Sequence, residues 1–233
     1  MLLCICFVLL ETYVGTASPI VNGDIVEDPA ELPFLCRMHI RGWTKSYFCG
    51  AALISADYLI TSKYCVSEFY DDDNCVDVKD CYVVCRDLNR AVFDVGEFRV
   101  SIRDVFYKSG RSDIAVIRLT EKVHEHKDYD KGVPIVPVTL ATVAPEPGDE
   151  VLTAGWGQTG FGKRKSQHLR KLTLRVTSVE KLFVKTGVTN KDGEVADTCE
   201  GDSGGPLLIW RQGSWEVVGT LKVYISLTPA ATT

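Results

Sequence analysis

Cys199-Glu200-Gly201-Asp202-Ser203-Gly204-Gly205-Pro206 is the stretch on which the reading of this chain turns. Within it, Gly201-x-Ser203-x-Gly205 sets a serine among glycines that let the main chain turn tightly, so amide N–H groups come close to the serine hydroxyl. Converging donors of that kind suit an oxyanion hole. The same five residues also satisfy the nucleophile elbow of α/β-hydrolases, whose histidine follows the serine in chain order. None of His39, His124, His126 and His168 follows Ser203, and the surroundings are β-rich, so the elbow reading falls away. A glycine turn beside a chemically silent serine is the bland alternative. Against it stand six ordered residues rather than two.

Outward from this motif the chain is punctuated by short β-rich runs at 51–61, 98–106, 114–119, 150–154, 172–179, 206–210 and 215–227. Gly, Pro, Asn or Asp separates many of them, a pattern of an all-β sandwich or barrel rather than of βαβ units. With 233 residues, 45% hydrophobic and 24% charged, the chain can bury one large core or two small ones. Its net charge of −5 gives no electrostatic reason to expect nucleic acid as a partner. Nine cysteines suggest an oxidising compartment.

The N-terminus fits that compartment. Residues 2–10 (LLCICFVLL) form an apolar run, and the small residues Gly15, Thr16, Ala17 and Ser18 follow. The run is too short to span a bilayer, and together they read as a signal peptide over 1–17, although no basic residue precedes the run. No later segment reaches the length of a membrane helix, so the expected product is secreted, with no membrane partner. Removal of Cys4 and Cys6 leaves cysteines 36, 49, 65, 75, 81, 85 and 199. An odd number cannot all pair within one chain, which leaves a cysteine for an intermolecular disulfide.

Four further segments complete the pattern. Ile20-Val-Asn-Gly23, the run from Cys49 to Cys65, Asp113-Ile-Ala-Val-Ile-Arg-Leu119 and Gly155-Trp-Gly157 resemble, in order, segments of the trypsin-like serine proteases. That chymotrypsin-fold family is built of two antiparallel six-stranded β-barrels with the active site between them. The resemblance covers most of residues 20–220. It implies a remnant at 18–19 and a domain over 20–233, with a first barrel at 20–120, a linker at 121–137 and a second barrel at 138–233. It further implies that Ser203 is the nucleophile and Asp113 the aspartate of the triad. Gly201 and Ser203 would form the oxyanion hole, and Cys49 would pair with Cys65. A freed Ile20 amine would pair with Asp202, and Asp197, six residues before Ser203, would be the acid of a pocket for Lys or Arg. No cofactor or metal is implied.

One position breaks the pattern. In the family the histidine stands directly before the second cysteine of its segment, and here that position holds Tyr64. A serine hydroxyl needs an adjacent base, and imidazole serves because its pKa lies near the working pH. A phenol titrates near ~10, so at pH 7 roughly one part in a thousand is basic. In subtilisin, loss of the triad histidine costs about 10⁶ in kcat, or roughly 8 kcal/mol. The phenolic O–H could instead donate to Asp113 and keep that carboxylate satisfied. His124, His126 and His168 lie between Asp113 and Ser203, and each reads as a surface residue.

Other features depart too. Family zymogens are commonly opened after a basic residue before the Ile-Val pair, but Pro19 stands there and no Lys or Arg precedes Arg37. Signal cleavage after Ala17 would leave Ser18-Pro19 for an x-Pro-specific dipeptidase. The family's Ser-Trp-Gly strand, its following cysteine and its terminal helix are replaced by residues 218–233, so the second barrel is expected to be incompletely closed and Cys199 to lack its usual partner. Cys75, Cys81 and Cys85 suggest an insertion with one local disulfide rather than a zinc site, because no histidine is near. Its acidic residues read as a solvated loop rather than a calcium site. Residues 162–171, five of them Lys or Arg, read as a solvated basic loop or as an exosite for an acidic partner. The expected function is a secreted, inactive protease homologue that engages a protein partner or a protease substrate. The alternative is a weak endopeptidase preferring Lys or Arg.

Overall fold

The computed structural model describes residues 20, 22–28, 30–41, 46–67, 81–85, 98–108, 110–126, 134–158, 164–187, 189–191 and 194–222. The signal-peptide and processing segments, the 71–75 acidic stretch and the chain after 222 lie outside them. Among the described residues the strands are β1 (Asp24–Ile25), β2 (Leu35–Arg41), β3 (Ser46–Leu53), β4 (Tyr58–Ser62), β5 (Tyr82–Cys85), β6 (Phe98–Tyr107), β7 (Ile114–Leu119), β8 (Thr139–Leu140), β9 (Glu150–Gly155), β10 (Arg170–Val179), β11 (Val184–Gly187), β12 (Thr189–Lys191), β13 (Glu194–Ala196), β14 (Pro206–Arg211) and β15 (Ser214–Thr220). A single helical turn, α1 (Tyr64–Ser67), follows β4.

The all-β expectation holds. Strands β2, β3, β4, β7, β6 and β5 close in that order into a barrel in which every neighbouring pair is antiparallel. Its interior is filled by Met38, Leu53, Leu59, Val83, Val100, Ile117 and Leu119, all nearly inaccessible to water. The second half is a seven-stranded sheet running β1-β10-β9-β14-β15-β8, with β11 also on β10. In β10 the side chains of Leu172, Leu174 and Val176 are buried while Thr173, Arg175 and Thr177 are exposed, the alternation a sheet with one dry face requires. Strand β8 joins β15 in parallel, and the described part of this sheet is not closed.

Two boundaries differ from the sequence reading. The run 51–61 is two strands, because Ser55 accepts the N–H of Tyr58 on its hydroxyl at 3.2 Å and turns the chain. The start of the segment assigned to the first barrel belongs to the second sheet. Asp24 and Ile25 register against Lys171 and Arg170, and Ile20 is buried with Val151, Leu172, Leu174, Val176, Ala196, Leu207 and Ile209. Burial of the Ile20 side chain draws β1 across, and the Arg170 guanidinium donates to the Gly23 carbonyl at 2.8 Å.

Cys49 and Cys65 are disulfide-bonded, as the resemblance implies. Cys36 and Cys85 form a second bridge that no spacing argument had singled out. These two residues face each other in the β2–β5 register, with Cα atoms 4.1 Å apart, so barrel closure makes the pair. A local bridge within 75–85 therefore cannot use Cys85. Cys81 and Cys199 are buried, which does not present either thiol to a second chain.

Candidate functional site

The 201–205 loop leaves the second sheet and is seated on the first barrel. Gly50 donates its N–H to the Ser203 carbonyl at 2.8 Å, Gly204 donates to the Leu221 carbonyl at 2.8 Å, and Leu221 donates back to Gly205 at 2.8 Å. Gly204 has φ +81°, and a methyl group there would run into the Thr61 hydroxyl and the Gly50 carbonyl and lie 3.0 Å from Cys65 Sγ. Only glycine supplies both that conformation and that closeness. The Cys49–Cys65 bridge thus fastens the floor on which the loop rests. Ser203 is 5% exposed. Gly201 has φ +99°, and among the described residues its N–H donates to no main-chain acceptor.

Asp202, a residue of this loop, has no exposure to water. One carboxylate oxygen accepts the Gly157 N–H at 2.7 Å and the other the Cys199 N–H at 3.0 Å. A side chain on Gly155 or Gly157 would occupy the space of that carboxylate, which gives the Gly155-Trp-Gly157 segment its physical reason. Burial raises the Asp202 pKa from 3.8 to about 7, with the two N–H donors and Lys165 pulling it down and Asp197 pushing it up. Asp197 is partly buried, and its carboxylate accepts the N–H of Thr198 at 2.7 Å.

On the barrel side, Tyr64 opens α1 and Asp113 precedes β7. Asp113 Oδ1 accepts the main-chain N–H of Tyr64 at 2.9 Å, and Oδ2 accepts the Ser62 hydroxyl at 2.8 Å. The Tyr64 N–H also reaches Ser62 Oγ at 3.1 Å. Asp113 thus accepts one hydroxyl and one main-chain amide among the described residues. The Tyr64 residue is 44% exposed. Lys222 Nζ stands 3.8 Å from Asp113 Oδ2. The sequence reading missed Ser62 and Lys222, since a serine and a lysine in β-rich runs carry no motif; pairing of Ser62 with Ile114 brings the first to Asp113, and the hydrogen bonds of Leu221 to the serine loop bring the second.

Arg170 and Lys171 of the basic stretch are tied down, the first to Gly23 and the second to Glu31, and Lys165 lies 4.9 Å from the Phe48 ring centre. Two clefts of about 620 and 600 Å³ flank the Trp210–Trp215 pair, and neither is lined by Asp113, Asp197 or Ser203. Among the described residues no three His, Cys, Asp or Glu side chains are gathered as a metal ion would require.

A barrel closed by six strands, a second sheet packed against it and a glycine-bound serine loop between them define a chymotrypsin-like serine protease fold. The chain belongs to the trypsin family, whose model matches residues 20–225. It is 32% identical over 189 residues to phenoloxidase-activating factor 3 of Holotrichia diomphalia, covering 70% of this chain and 52% of that protein. It is 26% identical over 235 residues to phenoloxidase-activating enzyme 1 of Spodoptera litura, covering 90% and 61%. To trypsin theta of Drosophila erecta it is 30% identical over 184 residues, covering 70% and 63%. The chain thus spans half to three-fifths of the length of the two phenoloxidase-activating relatives.

Proposed function

We propose that this chain is a secreted trypsin-family homologue without effective protease activity, which acts by binding or regulating another protein. The observation that carries the reading is Tyr64 in the segment closed by Cys65, where the family's base would stand. Ser203 keeps its glycine loop, whose Gly201 and Ser203 N–H groups would be the oxyanion donors, but hydroxyl activation needs a base that titrates near neutrality. Two phenoloxidase-activating relatives favour a place in a proteolytic cascade, with a protease or a protease substrate as the partner. Two disulfides are consistent with an extracellular setting. Pairing of a freed Ile20 amine with Asp202 is part of the same proposal and needs removal of the preceding residues.

Asp197 favours one second reading, a weak endopeptidase with a preference for Lys or Arg. Hydrolysis of Lys- and Arg-amide peptides by purified secreted protein separates the two. The homologue reading expects turnover lower by about 10⁶ than that of a working family member. Slow hydrolysis at pH 7 that stands clearly above that floor and is lost in Ser203→Ala would establish the second reading, and brisk hydrolysis would overturn both.

A further inference from the structure

We propose that Lys222 is a built-in counter-ion for Asp113 that blocks the site against a histidine base. The inference deepens the reading above, because it concerns why the triad cannot be repaired at Tyr64 alone. The ammonium lies 3.8 Å from Asp113 Oδ2, with the lysine side chain 33% and the aspartate 16% exposed. Hydrogen bonds anchor the backbone at both ends of the pair. Leu221, the residue before the lysine, exchanges hydrogen bonds with Gly204 and Gly205 at 2.8 Å each. The Asp113 carbonyl accepts the Lys63 N–H at 3.1 Å and the Thr220 hydroxyl at 3.5 Å. Lys63 is turned onto the Tyr107 ring at 5.6 Å, so among the described residues Lys222 is the cation delivered to the carboxylate.

In a working triad the aspartate orients the imidazole and stabilises the imidazolium that forms as the serine attacks. A permanent ammonium beside the same carboxylate opposes that second role. It lowers the pKa of any imidazole brought to Asp113, because like charge disfavours the protonated form. The segment that follows β15 and carries Lys222 is hydrogen-bonded through Leu221 to the serine loop, so assembly of the loop brings the lysine to the site.

The test introduces an imidazole and asks whether it senses Lys222. Its titration is followed by NMR in Tyr64→His, in Tyr64→His/Lys222→Met and in Tyr64→His/Lys222→Arg, with the four native histidines identified from the native spectrum. Loss of the lysine is expected to raise the imidazole pKa by about one unit or more, and arginine is expected to preserve the lysine value. Fluorophosphonate labelling of Ser203 should be about tenfold or more faster in the methionine double variant than in Tyr64→His alone. Should the methionine variant not fold, Lys222→Gln gives the same neutral comparison. A pKa that moves by less than about 0.3 unit on charge removal, or equally with methionine and arginine, overturns the proposal. Rapid labelling of the native chain would instead overturn the inactive reading and leave this titration to decide Lys222 separately.

Discussion

Asp202 is a carboxyl group with two main-chain donors and no contact with water, and those surroundings pull its ionisation in opposite directions. Desolvation wins and carries the pKa to about 7. Between about pH 4 and 7 an unfolded aspartate gives up its proton while the folded one keeps it. Since the folded state then binds more protons, stability falls as pH rises through that window, and the loss is complete above it. The full effect is of order 4 kcal/mol. Asp202→Asn removes the titration, so denaturant unfolding at pH 4, 6 and 8 is expected to show a steep decline for the chain that retains the residues before Ile20 and a flatter one for its variant. Parallel declines would place the responsible group elsewhere. A freed Ile20 amine paired with Asp202 would hold the carboxylate charged and flatten the decline in the same way.

Strand β2 shows what the bare sequence conceals. Its alternate residues Cys36, Met38 and Ile40 face the barrel interior, but Arg37 is also buried, at 5% exposure. Its guanidinium lies 5.5 Å from the Phe48 ring centre and 5.9 Å from that of Trp156, where the second half of the molecule covers it. An arginine in an apolar run reads as a solvent position, and only a partner face with aromatic rings turns it inward. The runs at 114–119 and 206–210 were legible because their apolar residues sit where pairing needs them, and the Ser203 loop because its glycines are dictated by close approach. The Cys36–Cys85 bridge was not legible, since two residues 49 apart meet only once β2 and β5 pair. Chain-entropy arguments give that bridge about 4 kcal/mol, against about 3 kcal/mol for the shorter Cys49–Cys65 loop. Cys36→Ala/Cys85→Ala is therefore expected to lower unfolding stability more than Cys49→Ala/Cys65→Ala. The reverse order, measured by denaturant titration, would show that seating of the serine loop on Cys65 outweighs loop entropy.

Across the whole molecule the larger cluster of buried side chains is continuous from one half to the other. Leu53, Leu59 and Ile117 of the barrel share it with Leu152, Trp156, Leu208 and Val217 of the second sheet. Glycines at 50, 204 and 205 bring the two main chains together at the same seam. Such a shared interior predicts one cooperative unfolding transition by calorimetry, and two separated transitions would mean the halves are energetically independent. The Ser203 loop lies on this seam, so its assembly and the fold stand together, and the proposed lack of activity rests on side-chain chemistry rather than on the fold. Labelling of the purified protein with a fluorophosphonate at pH 7 tests this most directly. The account predicts labelling of Ser203 slower by orders of magnitude than in a working serine protease. Rapid labelling that disappears in Ser203→Ala would contradict it.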